Sequence, residues 1–409
     1  MSAAHPIAQA WVSSGGTGAQ NYDEFADDAE ICDVISANPS SALAIEMPHL
    51  APQSLGRSFT QSLPQARERL LRAQQDGDYQ AHRDAVAVYR ITGTDGSLSF
   101  GLFAMVDTAE ISTSQDEPGR VIRNEDVFVA KVAERVALIE ATGHLLSAVL
   151  LIQTQDPVTL QQQLHHVCVD AGHPDVRDLD PAGRVHEVWV VTDPSVWGPL
   201  CELAGAGELV VADGNHRSLA AQQAGLERFL AVITTADSLS LDPYHRLIRE
   251  WPADLFPIDE ALLAAGVSVE VIEGPVRCPS SSGVLHLYAR GQGYALTWTD
   301  QSAADAALAD GVPSDVVQSM DHARLERDVI AGLLGWNPAD PRITYVGGDY
   351  PDSWLIDQVE QGHADVAVLV APVTVDDFVA VNVDRCAMPR KSTWFTPKAR
   401  AGLIAAVAR

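Results

Sequence analysis

Apolar residues return at helical spacing in two stretches, LPQARERLLRAQQDG ending on Gly77 and EDVFVAKVAERVALIEAT over residues 125–142 ending at Gly143. Each predicts an amphipathic helix stopped by a glycine. Between them, DAVAVYRITGTDGSLSFGLFAMVDTAE alternates apolar and polar positions about a Thr-Asp-Gly turn and predicts a hairpin. LLSAVLLIQ and HEVWVVTDP predict buried strands around a helix at VTLQQQLHHVCVDAG. ELVVADG predicts another buried strand, running straight into an alanine-rich helix, HRSLAAQQAG, that ends on Gly225. Strands alternating with helices are α/β in character. The chain up to Ala44–His49 reads as short extended pieces and turns.

The Pro-rich break WPADLFPID predicts a domain boundary. Beyond it VSVEVIEG, GVLHLYARG and YALTWTD predict an antiparallel meander, DHARLERDVIAGLLGW a helix, and HADVAVLVAP and FVAVNVD two further strands.

Charge changes the picture more than composition does. At 409 residues, with 46% hydrophobic and 20% charged positions, the chain has an ordinary globular make-up of two or three units. Its 27 Lys+Arg against 55 Asp+Glu leave a formal charge of −28, which repels nucleic-acid backbones and anionic membrane surfaces. No nucleic acid and no membrane are expected as partners, and an anionic ligand needs a local basic island. Five scattered cysteines without a CxxC pair point to a reducing compartment, and no apolar run approaches a membrane span. A cytoplasmic location is the expectation.

Two stretches could supply the island. In ADGNHRS, a strand that turns into a helix at Asp213-Gly214 presents helix N–H groups to an anion, and Arg217 stands where the helix dipole disfavours a cation. One reading gives Arg217 and His216 a phosphate and Asp213 a divalent cation or a ribose. The other makes Asn215 a helix cap, with Arg217 pairing to Asp213 or to solvent. In MPRKSTWFTPK, two of the only three lysines, Lys391 and Lys398, stand with Arg390, Ser392 and Thr393. That stretch reads either as an anion site or as a loop with scattered charges.

Glu125 could accept a proton from a hydroxyl or could simply complement a helix dipole, and His245-Arg246 is similarly ambiguous. The glycine-rich SSGGTGAQNYDEF lacks the Gly-Lys-Ser/Thr ending of a P-loop and reads as a flexible or substrate-gating turn.

These blocks resemble a family. ADGNHRSLAA is similar to the ADGHHRYxTA signature of the bacterial domain-of-unknown-function family 1015. NYDEF, RNEDVFVAKVAERVALIEAT, DPYHRLI and MPRKSTWFTPK match its other blocks in order, from about residue 20 to residue 405. Through its DGHHR and HE blocks that family resembles the free serine kinases of the ParB/sulfiredoxin superfamily.

The resemblance implies an α/β (α+β mixed) fold, with a ParB/sulfiredoxin-like nucleotide-binding core over 111–250. An N-terminal α+β region over 1–110 and a C-terminal α+β region over 251–409 would flank it, the latter bringing MPRKST to the cleft. It implies Glu125 as base, Asp213, Gly214, Asn215, His216 and Arg217 as the phosphate loop, and Lys391, Ser392, Thr393, His245 and Arg246 as further substrate or phosphate contacts. The implied reaction moves a phosphoryl group from ATP or ADP, with Mg2+, to the hydroxyl of free serine or a related amino acid. The alternative is a nucleotide-binding regulator or assembly partner without catalysis. Asn124 and Asn215 stand where the family blocks have histidine, and Asn215 excludes the cysteine chemistry of sulfiredoxin.

Overall fold

The computed structural model describes residues 2–112, 119–124, 127–255, 257–264, 267–298, 317–386 and 388–409. They divide into two compact units, Met1–Ser240 with Pro397–Arg409, and Leu241–Thr396. Both are mixed α/β.

The first unit is built on a 12-stranded sheet. From one edge it runs Val121–Ile122, Leu209–Asp213, Val149–Gln153, Arg228–Thr234, Leu98–Asp107, Tyr79–Thr92 and Ile7–Ser13. Leu209–Asp213 is parallel to Val121–Ile122 and antiparallel to Val149–Gln153, while Arg228–Thr234 is parallel to Val149–Gln153. The strand LVVAD has four consecutive apolar positions because side chains on both faces of the sheet are buried there, while its neighbours pair both of its edges. Tyr79–Thr92 and Leu98–Asp107 form the expected hairpin, and this hairpin continues the same sheet as Leu209–Asp213. No break in the sheet falls at residue 110.

Phe59–Asp76 begins with a Ser58/Gln61 capping box and ends at Gly77 in the left-handed region (φ 86°). Val129–Thr142 ends likewise at Gly143. It is the helix expected over 125–142; residues 125 and 126, which include the candidate base Glu125, lie outside the described residues.

Two stretches differ from the reading of the sequence. The N-terminal segment contains a ten-residue helix, Asp28–Ala37, whose cap Asp27 accepts from the N–H groups of Ala29 and Glu30, so a side-chain cap nucleates a helix where turns were expected. FVAVNVD belongs to the helix Val375–Val383: Thr374 caps it, Asp376 and Asp377 favour its first turn, and Phe378, Val381 and Asn382 are its buried positions. A three- or four-residue spacing of buried groups was masked there by valines that suit a strand equally well.

The second unit holds a six-stranded antiparallel sheet in the order Val267–Ile272, Gln292–Trp298, Val284–Ala289, Val366–Val370, Tyr244–Ile248, Ile343–Gly347. The three strands expected as a meander are its first half, but they are not in sequence order: Val284–Ala289 and Gln292–Trp298 form a hairpin, and Val267–Ile272 pairs with Gln292–Trp298 on its far side rather than with Val284–Ala289. Among the described residues no helix is long and apolar enough to cross a membrane.

Candidate functional site

The strand Leu209–Asp213 carries an irregularity between Val211 and Asp213 that sets Asp213 opposite Leu150. Such a bulge re-aims the side chain that follows it. The chain then turns through Gly214 at φ 98° into the helix Asn215–Gln223, and no side chain caps that helix. Gly214 is required twice over: φ lies in the left-handed region, and a Cβ there would sit 3.0 Å from Arg217 Nε and 3.2 Å from Val149 Cα. Asn215 is therefore the first helical residue; the capping role offered for it is not realised, whereas the pairing of Arg217 with Asp213 offered alongside it is.

Arg217 is 8% exposed and held from three sides. Its Nη2 donates to Asp213 Oδ2, and its Nη1 donates to the Ala148 carbonyl and, at 3.2 Å, to Asn21 Oδ1. The other Asp213 oxygen accepts from Lys398 Nζ at 3.0 Å. Two cations thus share one carboxylate at the mouth of an uncapped helix. Burial opposes ionisation of Asp213, but Lys398 and Arg217 outweigh it and hold the carboxyl below its usual range. Burial likewise opposes the charge on Arg217, and Asp213 and Asp23 more than restore it.

The rest of the turn is tied to the segment before the helix Val129–Thr142. Asn215 Nδ2 donates to Asn124 Oδ1, and Asn215 Oδ1 accepts from the Asn124 N–H at 3.4 Å. His216 Nε2 accepts from the Phe128 N–H at 2.9 Å, and its ring stacks on Phe128 with centroids 5.8 Å apart. This bond fixes the neutral tautomer with its proton on Nδ1.

The glycine-rich turn expected to be flexible is pinned instead. Asn21 caps a short turn with Glu24, donates to the Ala399 carbonyl at 3.1 Å and accepts from Arg217. Glu24 is buried beside it, and burial pushes its carboxyl up against the pull of Lys398. No group of three or more His, Cys, Asp or Glu among the described residues could hold a metal ion.

The remaining predicted residues belong to the second unit, where they form a cluster of their own. Arg246 has no exposure; it donates to the carbonyls of Tyr244, His245 and Arg390 and packs 4.2 Å over the Tyr345 ring. His245 Nδ1 accepts from the Val370 N–H at 3.2 Å, and burial pushes its pKa down to about 4. Lys391, at φ 51°, places its ammonium 5.3 Å from the Tyr244 ring centroid, and Ser392 is fully buried. Thr393 follows them, half-buried, just ahead of the Trp394–Thr396 strand.

Sequence reasoning missed Lys398, Asn21, Glu46 and Arg135 as members of the Arg217 neighbourhood. Lys398 had a signal, being one of three lysines, and Asn21 opens a block that resembles the family. Glu46 and Arg135 had none beyond being charged residues on apolar faces.

The family described as "Protein of unknown function (DUF1015)" matches residues 17–323. The match covers the first four of the blocks that resemble the family and stops short of MPRKSTWFTPK. No curated protein matches the chain. Among solved structures it is similar to a conserved hypothetical protein from Pyrococcus furiosus, at 12% identity over 74% of this chain and 95% of that one, with a TM-score of 0.37. A free serine kinase in complex with AMP gives 12%, 74%, 92% and 0.37 on the same measures. SbnI with a C-terminal truncation, from Staphylococcus aureus, gives 12%, 74%, 87% and 0.38.

Proposed function

The chain belongs to the family described as "Protein of unknown function (DUF1015)", and from that premise we propose that it is a phosphotransferase. It moves a phosphoryl group from ATP or ADP to the hydroxyl of free L-serine or a related amino acid. The observation that carries this reading is the pair of cations, Arg217 and Lys398, gathered on Asp213 at an uncapped helix N-terminus in a chain of net charge −28. Helix N–H groups and two cations suit a polyphosphate, which would compete with Asp213 for both.

Phosphoryl transfer asks mainly for positioning and charge neutralisation. The acceptor hydroxyl oxygen attacks the terminal phosphorus, the bond from phosphorus to the nucleotide oxygen breaks, and the hydroxyl proton passes to a base. Products are a phosphomonoester and the shortened nucleotide. Glu125 is the proposed base. The described residues on either side of it, Asn124 and Phe128, are both hydrogen-bonded to the phosphate turn, through Asn215 and His216. Both Asp213 oxygens are committed to cations, so a magnesium ion arriving with the nucleotide would be held chiefly by its phosphates. No step is routed through the ion.

A second reading, a nucleotide-binding regulator without catalysis, is favoured by one observation. Asn124 and Asn215 satisfy each other, and neither can carry the charge of the histidines that the family blocks have there. Titration calorimetry with ATP and ADP tests the ground common to both readings. Binding that is lost in Arg217→Ala supports them; absence of heat with either nucleotide contradicts both.

A further inference from the structure

Next to the phosphate turn, within the first unit, Arg217 also lines a small cleft open to solvent, with a cavity of about 30 Å3 at its base. Glu46, Arg135, His144, Ser147 and Leu138 are among its other walls. Glu46 and Arg135 are each 4% exposed.

Their hydrogen bonds are half complete. Glu46 Oε1 accepts from Ser147 Oγ at 2.6 Å, while its Oε2 has no hydrogen-bond partner among the described residues. Arg135 spends Nη2 on the Glu46 carbonyl at 3.1 Å and on the Met47 sulfur, and neither its Nε nor its Nη1 has a hydrogen-bond partner. Its guanidinium is fixed over the Tyr22 ring at 4.2 Å and the Phe59 ring at 5.1 Å, so it cannot swing to find one.

A buried carboxylate and a buried guanidinium therefore share one cavity without forming an ion pair with each other. Leaving opposite charges buried and only half satisfied is costly, and proteins keep such an arrangement where a third group completes it. Water could complete the hydrogen bonds but would bring no charge to either ion. A phosphate or a simple carboxylic acid would answer Arg135 and repel Glu46; an amine would do the reverse. One small molecule carrying both signs a few ångströms apart answers both.

We propose that this cleft takes a small zwitterionic α-amino acid, whose carboxylate accepts from Arg135 and whose ammonium donates to Glu46, leaving the side chain toward Arg217. Naming it the acceptor subsite rests on the phosphotransferase reading; the binding of the amino acid does not. Burial raises the Glu46 carboxyl, with Arg135 and Ser147 opposing it, and an ammonium beside it would oppose it further. The small cavity favours glycine, alanine and serine and rejects aromatic side chains.

The test is titration calorimetry on the unaltered full chain, without nucleotide, using glycine, L-alanine, L-serine, L-phenylalanine, N-acetyl-L-alanine and L-alaninamide. The expected result is binding of the three small amino acids, no binding of L-phenylalanine, and at least about tenfold weaker binding of both blocked alanines, since each removes a charge-assisted hydrogen bond. Glu46→Gln, which keeps the Ser147 bond, weakens alanine similarly while its circular dichroism melt stays that of a folded chain.

Absence of binding by all three small amino acids, or equal binding of the blocked analogues, overturns the proposal. The two readings fail separately. Amino-acid binding in a chain that binds no nucleotide removes the phosphotransferase and leaves the cleft. Phosphate transfer to alcohols that lack an ammonium or a carboxylate, unaffected by Glu46→Gln, removes the cleft as acceptor subsite and leaves the phosphotransferase.

Discussion

Asn215 and Asn124, 91 residues apart in sequence, are bonded to each other through both of the Asn215 amide atoms. These are the two positions at which the chain departs from the histidines of its family's blocks, so the departures form one matched contact. Both residues are buried, at 4% and 1% exposure. Removing one side of a buried hydrogen-bonded pair leaves the other unsatisfied at about 1–3 kcal/mol. Asn215→Ala is expected to lower stability in urea unfolding by that amount, and adding Asn124→Ala to cost less than the sum of the two single changes. Simple additivity would show that the amides do not depend on each other.

Gly214→Ala tests the turn itself. A methyl group there meets Arg217 and the Val149 backbone, and φ is in the region that alanine avoids. The expected cost is about 1–3 kcal/mol of stability, with weaker nucleotide binding because Arg217 must move. Calorimetry showing unchanged nucleotide affinity would mean that the turn does not position Arg217 for phosphate.

Lys398→Met separates the two cations. It keeps the stem and removes the larger of the two charges that oppose burial at Asp213, leaving Arg217 alone to hold that carboxylate. Losing one charge-assisted contact to phosphate predicts roughly 10- to 100-fold weaker ATP or ADP binding. Equal affinity would restrict Lys398 to holding Asp213.

The second unit carries a pH dependence of its own. Burial pushes the pKa of His245 down to about 4 from 6.5, so the folded chain keeps it neutral where the unfolded chain is protonated. Its contribution to stability is full above pH 6.5 and is lost as pH falls toward about 4, a loss on the order of 3 kcal/mol. Asp321, raised to about 6 by burial, works in the opposite sense over about 3.8 to 6. The measurement is therefore a difference: urea midpoints at pH 7.5 and 5 for the native chain and for His245→Gln. The native chain is expected to lose more stability between them than the variant. Equal losses would contradict the shift.

Much of this was legible in the sequence. The strand LVVAD, the turn at Asp213-Gly214 and the helix behind it announced themselves through an apolar run, a glycine and an alanine-rich stretch. Legibility failed where a distant side chain decides the matter. Nothing local to Arg217 indicates that Asn21 and the Ala148 carbonyl would hold it, or that Lys398, 181 positions further on in the numbering, would share its carboxylate. Asp27 and Thr374 are caps that a sequence allows but does not require, which is why the helices Asp28–Ala37 and Val375–Val383 read as turns and strand. Arg135 and Glu46 look like ordinary charged positions until the fold buries them together.

The most direct test of the phosphotransferase is phosphorus NMR of the purified chain with magnesium, ATP or ADP, and a panel of free hydroxyl amino acids, beside Arg217→Ala and Glu125→Gln. The account predicts a new phosphomonoester signal with L-serine or a close relative that disappears in both variants. No such signal from the native chain with any acceptor, under conditions where nucleotide is bound, would contradict it.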